Sequence, residues 1–116
     1  MVSLCTPEGK KKYKEHLEAR TSLGACPLCE KKSIKDFLLW KLTENSFPYD
    51  QIAKTHHMLI PIRHVSEEEL SGEELEELKS IKKDFIHIAY DWILEAAPKN
   101  QTIPDHFHLH LIVGKS

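Results

Sequence analysis

The residues best placed to do chemistry are His106, His108 and His110, in the run His106-Phe107-His108-Leu109-His110-Leu111-Ile112-Val113. Three imidazoles alternate with bulky apolar residues, which is the period of an extended strand. Phe107, Leu109, Leu111 and Val113 then face a core, and the three histidines share the opposite face. Imidazole changes charge near neutral pH, so a row of them suits nucleophilic, acid–base or metal chemistry. The plainer alternative is two histidines satisfied in a core and a third at the surface.

A second group of reactive side chains lies upstream. Cys26 and Cys29 form a C-x2-C pair, with Cys5 left over from a total of three cysteines. An odd count at such tight spacing argues against a disulfide framework and for metal or redox use. Two thiolates on one turn supply half of a tetrahedral zinc site. Alternate residues on a strand are about 7 Å apart, whereas zinc–nitrogen bonds are about 2 Å long. One metal therefore cannot take all three imidazoles, and a division of labour follows. The expected ligands are Cys26, Cys29, His64 and His106. Four protein ligands close the coordination sphere, so the Zn2+ is expected to be structural. Two alternatives stay open: reduced bystander cysteines, and a thioredoxin-type redox pair. The second lacks the surrounding βαβ pattern.

Elements must position these groups. Thr6-Pro7-Glu8 has the form of a helix start, with a narrow apolar stripe through Tyr13 and Leu17 to Ala19, giving a peripheral N-terminal helix. Cys26-Pro27-Leu28-Cys29 reads as a turn. Ile34 to Leu42, with Phe37-Leu38-Leu39-Trp40, reads as a strand. Asn45 to Asp50 is a loop by composition. His56 to Ile62 is a second strand that ends at Pro61. Ser66 with Glu69, and Ser71 with Glu74, form two capping boxes. Leu75, Leu78, Ile81, Phe85, Ile88, Ala89, Trp92 and Ile93 recur at helical spacing, which predicts one long amphipathic helix to about Ala97, stopped by Pro98. The order helix, two strands, long helix, strand predicts an α+β fold with an antiparallel sheet.

A length of 116 residues fits one domain, taken as 1–116. The net charge of −2 gives no reason to expect nucleic-acid binding. No run approaches the length of a membrane span, and Met1 to Cys5 is too short for a secretory core. A cytoplasmic location is the expectation.

The histidine run, the C-x2-C pair and the segment His56-His57-Met58-Leu59-Ile60-Pro61-Ile62-Arg63-His64-Val65, in this order, resemble the histidine triad (HIT) nucleotide hydrolases and transferases. The loop Asn45-Ser46-Phe47-Pro48-Tyr49-Asp50 is similar to one in that family. The set Cys26, Cys29, His64 and His106 resembles the zinc site of several bacterial members. The resemblance covers about residues 26–112 and implies a HIT-like fold. It implies that His108 attacks the α-phosphate of a nucleotide conjugate to give a nucleotidyl-histidine, which splits one displacement into two easier ones. His110 would stabilise the phosphate charge, and His56 would stand near the phosphates. Asn45 would contact the ribose, and Phe47 and Ile60 would line the base pocket or serve as core. Gln101 or Thr102 would contact the phosphate. A nucleotide substrate and a homodimer are implied as partners.

The sequence departs from the family pattern just before the triad. Only Lys99 to Asp105 stands between the expected end of the long helix and His106, without a glycine, which leaves no room for an additional strand. Two other functions therefore stand beside the enzyme reading. One is a catalytically weak or inactive nucleotide-binding or interaction module on the same fold. The other is a metalloenzyme whose triad holds a catalytic ion.

Overall fold

A computed structural model describes residues 26–45, 48, 51–97, 103 and 105–115. The expected N-terminal helix and Cys5 lie outside the described residues. Five strands form one antiparallel sheet: β1 (Lys35–Asp36), β2 (Trp40–Glu44), β3 (Ala53–Pro61), β4 (Trp92–Leu94) and β5 (Leu109–Gly114), in the order β1-β2-β3-β5-β4. Between β3 and β4 lie a short 3-10 turn (Glu67–Glu69), helix α1 (Gly72–Ile81), a π-helical turn (Lys82–Ile86) and a last helical turn α2 (His87–Ala89). This is the α+β architecture expected from the sequence.

Alternation in the strands sorts side chains to two faces. Trp40, Leu42, Leu59, Leu109 and Leu111 join Phe107 in packing against Leu78, Ile81 and Ile86 of the helical segment. The opposite face carries a smaller cluster of Leu28, Met58 and Ile60, with Cys26 and Ile103 against it. The histidines are on this second face. Both capping boxes form. At α1, Ser71 Oγ accepts from the Glu74 amide (3.1 Å) and Glu74 Oε1 accepts from the Ser71 amide (2.8 Å). At the 3-10 turn, Glu69 accepts from the Ser66 amide at 2.9 Å.

Three sequence expectations are corrected. The single strand over Ile34 to Leu42 is a tight hairpin, with the reversal at Phe37–Leu39. Those residues have high strand propensity, but the Glu77 carboxylate of α1 accepts from the Leu38 and Leu39 amides (3.1 and 2.7 Å) and fixes the turn.

The second correction is the helix's apolar stripe. In the π turn the His87 amide donates to Lys82 O, five residues back. The extra residue rotates everything after it. Ile86, five residues after Ile81, takes the core position at 1% exposure, whereas Ile88 turns out at 80%.

The third correction is the helix end. The last helical bond is Tyr90 N–H to Ile86 O (3.0 Å), and the Asp91 amide then donates to Ile112 O on β5 (2.8 Å). Trp92 and Ile93, expected in the helix, instead form the edge strand β4. The segment before the triad does contain an additional strand, built from residues whose spacing also fits a helix. Two contacts decide it. Tyr90 Oη is 2.6 Å from His57 Nδ1 on β3, and β5 offers an open ladder edge to residues of high strand propensity. At Gly114, the end of β5, a Cβ would lie 2.7 Å from the Trp92 ring, so a side chain there would require that ring to shift.

Among the described residues no helix is long and apolar enough to cross a membrane.

Candidate functional site

Cys26 and Cys29 flank the turn expected from the sequence, and Leu28 anchors that turn by burying its side chain (3% exposed) against Met58 and Ile60. Lys41 of β2 donates to Lys31 O (3.0 Å) and Cys29 O (3.4 Å), which ties the turn to the sheet. His64 sits exposed just past the end of β3, and His106 is fully buried just before β5. These four residues, distant in sequence, converge. Their ligand atoms all lie within 4.8 Å of one another.

The donor set fits a metal ion. Cys26 Sγ and Cys29 Sγ are 3.5 and 3.4 Å from His106 Nδ1, and Cys29 Sγ is 3.1 Å from His64 Nδ1. Ligand atoms around a tetrahedral zinc stand roughly 3.4–3.8 Å apart, given Zn–S near 2.3 Å and Zn–N near 2.0–2.1 Å. His106 Nε2 is 2.9 Å from Pro61 O. A carbonyl can only accept, so Nε2 carries the proton and Nδ1 presents its lone pair to the sulfurs. This outer bond is of the kind that orients metal-bound histidines. Partial desolvation, then the neighbouring Cys26 sulfur, push the Cys29 thiol up to about 11. The thiolates a soft metal needs therefore form only when a cation replaces the proton.

The other two triad histidines stand further along the same face. His108 Nδ1 is 3.0 Å from His106 O. By the same logic Nδ1 carries the proton, and burial holds the ring's pKa below the ordinary histidine value. Nε2 of the neutral ring then carries a lone pair and no proton. His110 Nδ1 is 2.7 Å from His56 Nε2, and Asn45 Nδ2 is 3.3 Å from that same nitrogen. An amide NH2 donates, so His56 Nε2 accepts and His110 Nδ1 donates to it. Both rings are buried, at 5% and 6% exposure. Burial lowers His56 to about 4 and His110 to about 3, so both are neutral at physiological pH. The ring centroids of His108 and His110 are 5.1 Å apart, and those of His56 and His110 are 4.9 Å apart.

Asn45, His56, His108 and His110 are thus brought into one cluster, and Cys26, Cys29, His64 and His106 into another beside it. Ile60 is fully buried against Leu28 and Met58, the core role the sequence left open for it. Phe47, Gln101 and Thr102 lie outside the described residues. Sequence reasoning missed Lys41, whose position on the site-bearing face follows from alternation in β2. It also missed Thr43, on the row Thr43–Met58–His110 across three strands. Thr43 is fully buried, and among the described residues its hydroxyl has no hydrogen-bond partner. A polar residue flanked by Leu42 and a charged Glu44 gives no sequence signal of that kind.

No family model and no curated protein matches this sequence. Solved structures do match. A HIT family hydrolase from Legionella pneumophila Philadelphia 1 superposes with a TM-score of 0.59 at 19% identity, over 78% of this chain and 94% of that one. A "Hit Like Protein" gives 0.56 at 18% identity, over 83% and 95%. A histidine triad protein from Clostridium difficile gives 0.52 at 14% identity, over 86% and 90%. With its five-stranded antiparallel sheet, the helical segment on one face and the histidine row on the other, this chain has the histidine triad fold.

Proposed function

We propose that the protein is a nucleotide phosphohydrolase or nucleotidyl transferase acting at the α-phosphate of a nucleotide conjugate. One observation carries this reading: His108 Nδ1 is committed to His106 O, which leaves the lone pair of Nε2 for attack. In the first step that lone pair forms a bond to the α-phosphorus, and the bond from phosphorus to the leaving oxygen or nitrogen breaks. An anionic phosphate raises the proton affinity of the imidazoles beside it. His110 then carries a second proton, stabilises the phosphoryl oxygens and passes that proton to the leaving group. In the second step water, or an acceptor hydroxyl, attacks the phosphorus of the nucleotidyl-imidazole while His110, now neutral, takes its proton. The bond from phosphorus to His108 Nε2 breaks, the nucleoside monophosphate or its ester departs, and neutral His108 and doubly protonated His110 are restored. His56 holds His110 in place through the 2.7 Å bond, and Asn45 holds His56. The same reading assigns Asn45 a contact to the ribose, and Phe47, Gln101 and Thr102 base and phosphate contacts.

Cys26, Cys29, His64 and His106 would hold a structural Zn2+, with no position open for substrate. Bound there, the ion supplies a cross-link between the cysteine turn and the strand ends. A homodimer completes the reading. Its support is the short edge strand β4, with Trp92 52% exposed, and the exposed Ile88 (80%).

The test is incubation with adenosine 5′-phosphoramidate and with diadenosine polyphosphates, followed by intact-protein mass spectrometry on an acid-free quench. Turnover and an adenylyl adduct that both vanish in His108→Ala are expected. Turnover that survives His108→Ala sinks the nucleophile. Binding without turnover or adduct supports the non-catalytic nucleotide-binding module instead.

A further inference from the structure

Turning Trp92 to Leu94 from helix into strand carries an indole onto the histidine face. Cross-strand partners point to the same side of a sheet. Trp92 is opposite Ile112 and Leu94 is opposite His110, and Ile112 is in turn opposite His56 on β3. Ile112 follows His106, His108 and His110 at the strand period of two, so it stands on their side, and Trp92 and Leu94 stand there with it. A Cβ on Gly114 would point to that side too. It would meet Cζ3 and Cη2 of the Trp92 ring at 2.7 and 2.8 Å, and the next neighbour is Asp91 Oδ2 at 3.7 Å. The indole therefore runs along the sheet face towards the end of β5, with the outer edge of its six-membered ring against Gly114. An edge contact positions a ring and does not use its faces. Ile112 is fully buried, whereas Trp92 keeps 52% of its surface exposed. Gly114 is four residues beyond His110, about 13 Å along the strand. A ring joined through a ribose or a short chain to a phosphate at His108 and His110 comes within reach of the indole.

We propose that Trp92 is a stacking platform for a planar heteroaromatic ring of the substrate, the nucleobase or a ring on the leaving group. The proposal rests on the nucleotide reading given above and adds the residue that recognises the ring. Leu94 and Ile112, which stand between His110 and the indole on that face, are apolar and offer a ring no competing polar contact. A π-face accepts any base, so the platform selects for the presence of a ring and not for its hydrogen-bonding edge. Stacking one base on an aromatic side chain corresponds to roughly 5- to 150-fold in affinity. A second copy paired along the edge of β4 would use in-plane backbone groups, which are separate from the faces of the ring.

The test is calorimetric titration of the zinc-loaded chain with two ligand pairs. Adenosine 5′-monophosphate and ribose 5-phosphate differ only in the base. Diadenosine tetraphosphate and adenosine 5′-tetraphosphate, both with a methylene next to the α-phosphorus to prevent cleavage, differ in the second nucleoside. Wild type, Trp92→Ala, Trp92→Phe and Gly114→Ala are compared. In Trp92→Ala the preference for the ring-bearing member of a pair should fall about 5-fold or more, with the affinity for ribose 5-phosphate unchanged. Trp92→Phe should keep part of the preference, and Gly114→Ala, which displaces the indole, should lose part of it. A response in the first pair assigns the ring to the nucleobase, and a response in the second pair alone assigns it to the leaving group. Ring-bearing ligands should also shield the wild-type indole from acrylamide quenching, against the constant background of buried Trp40. If Trp92→Ala fails to fold, Trp92→Phe and the shielding decide. An unchanged preference in both pairs overturns the proposal. So does an equal loss for ligands with and without the ring, or a change in oligomeric state on sedimentation, either of which marks Trp92 as a structural or interface residue. Binding of ribose 5-phosphate with no preference for a ring overturns this proposal alone, whereas no binding of any of the four ligands overturns the nucleotide reading with it.

Discussion

Acid should unfold this protein through two buried rings, and the size of the effect follows from their surroundings. His56 and His110 share a 2.7 Å hydrogen bond and are lowered from an ordinary 6.5 to about 4 and about 3, chiefly by burial. The unfolded chain takes up protons at these rings before the folded chain does. Their contribution is therefore fully present above about pH 6.5 and is lost as pH falls towards their folded values. Each tenfold difference in proton affinity corresponds to about 1.4 kcal/mol. Between neutrality and about pH 4.5, each ring then removes roughly 2–3 kcal/mol. The rings share one hydrogen bond and titrate together, so about 5 kcal/mol is the ceiling for the pair. That is comparable with the whole stability of many small domains. The assay is urea denaturation of metal-free protein at a series of pH values, which removes metal loss from the comparison. The wild type should lose several kcal/mol over this interval, and a His56→Gln, His110→Gln double variant should lose far less. Equal slopes in the two proteins would refute the reasoning, because the acid sensitivity would then come from other groups. Inorganic phosphate should oppose the wild-type loss, since it favours the charged ring.

The rotated helix face gives a second test: Ile86→Ala should cost about 2–5 kcal/mol, and Ile88→Ala, at a position that continues the unrotated stripe, should cost under 0.5 kcal/mol. Equal losses by thermal denaturation would contradict the π turn. Thr43→Val removes a buried hydroxyl that has no partner among the described residues. It should leave stability unchanged or raise it by about 1 kcal/mol, and a clear loss would reveal a partner for that hydroxyl. Chelation should release one metal ion per chain, seen with a chromogenic indicator, and lower Tm by about 10 °C or more, given a contribution of several kcal/mol. Retention of metal by a Cys26→Ala, Cys29→Ala double variant would place the ion elsewhere.

What the sequence could carry was local. The histidine row is legible because strand alternation has a period of two, and the core accepts Phe107, Leu109 and Leu111 as that alternation requires. The two capping boxes are legible because serine and glutamate three residues apart satisfy each other's amides without help from elsewhere. The C-x2-C turn is set by its own spacing. The tertiary structure decided whatever depends on a distant partner. Tyr90 to Leu94 fits a helix by spacing and a strand by propensity, and the open edge of β5 with the His57 contact to Tyr90 settles the choice. Phe37 to Leu39 turns back because a carboxylate from α1 caps it. The phase of the helix changes at a π turn that no residue pattern announces, and it buries Ile86 while it leaves Ile88 exposed. Most of all, the row of three equivalent imidazoles is differentiated only by what lies across from each. His106 meets two sulfurs and the Pro61 carbonyl, His108 meets the His106 carbonyl, and His110 meets His56. A single sequence fixes the chemical kind of each ring. Which nitrogen holds the proton is set by the groups facing it, and those groups come together only on folding.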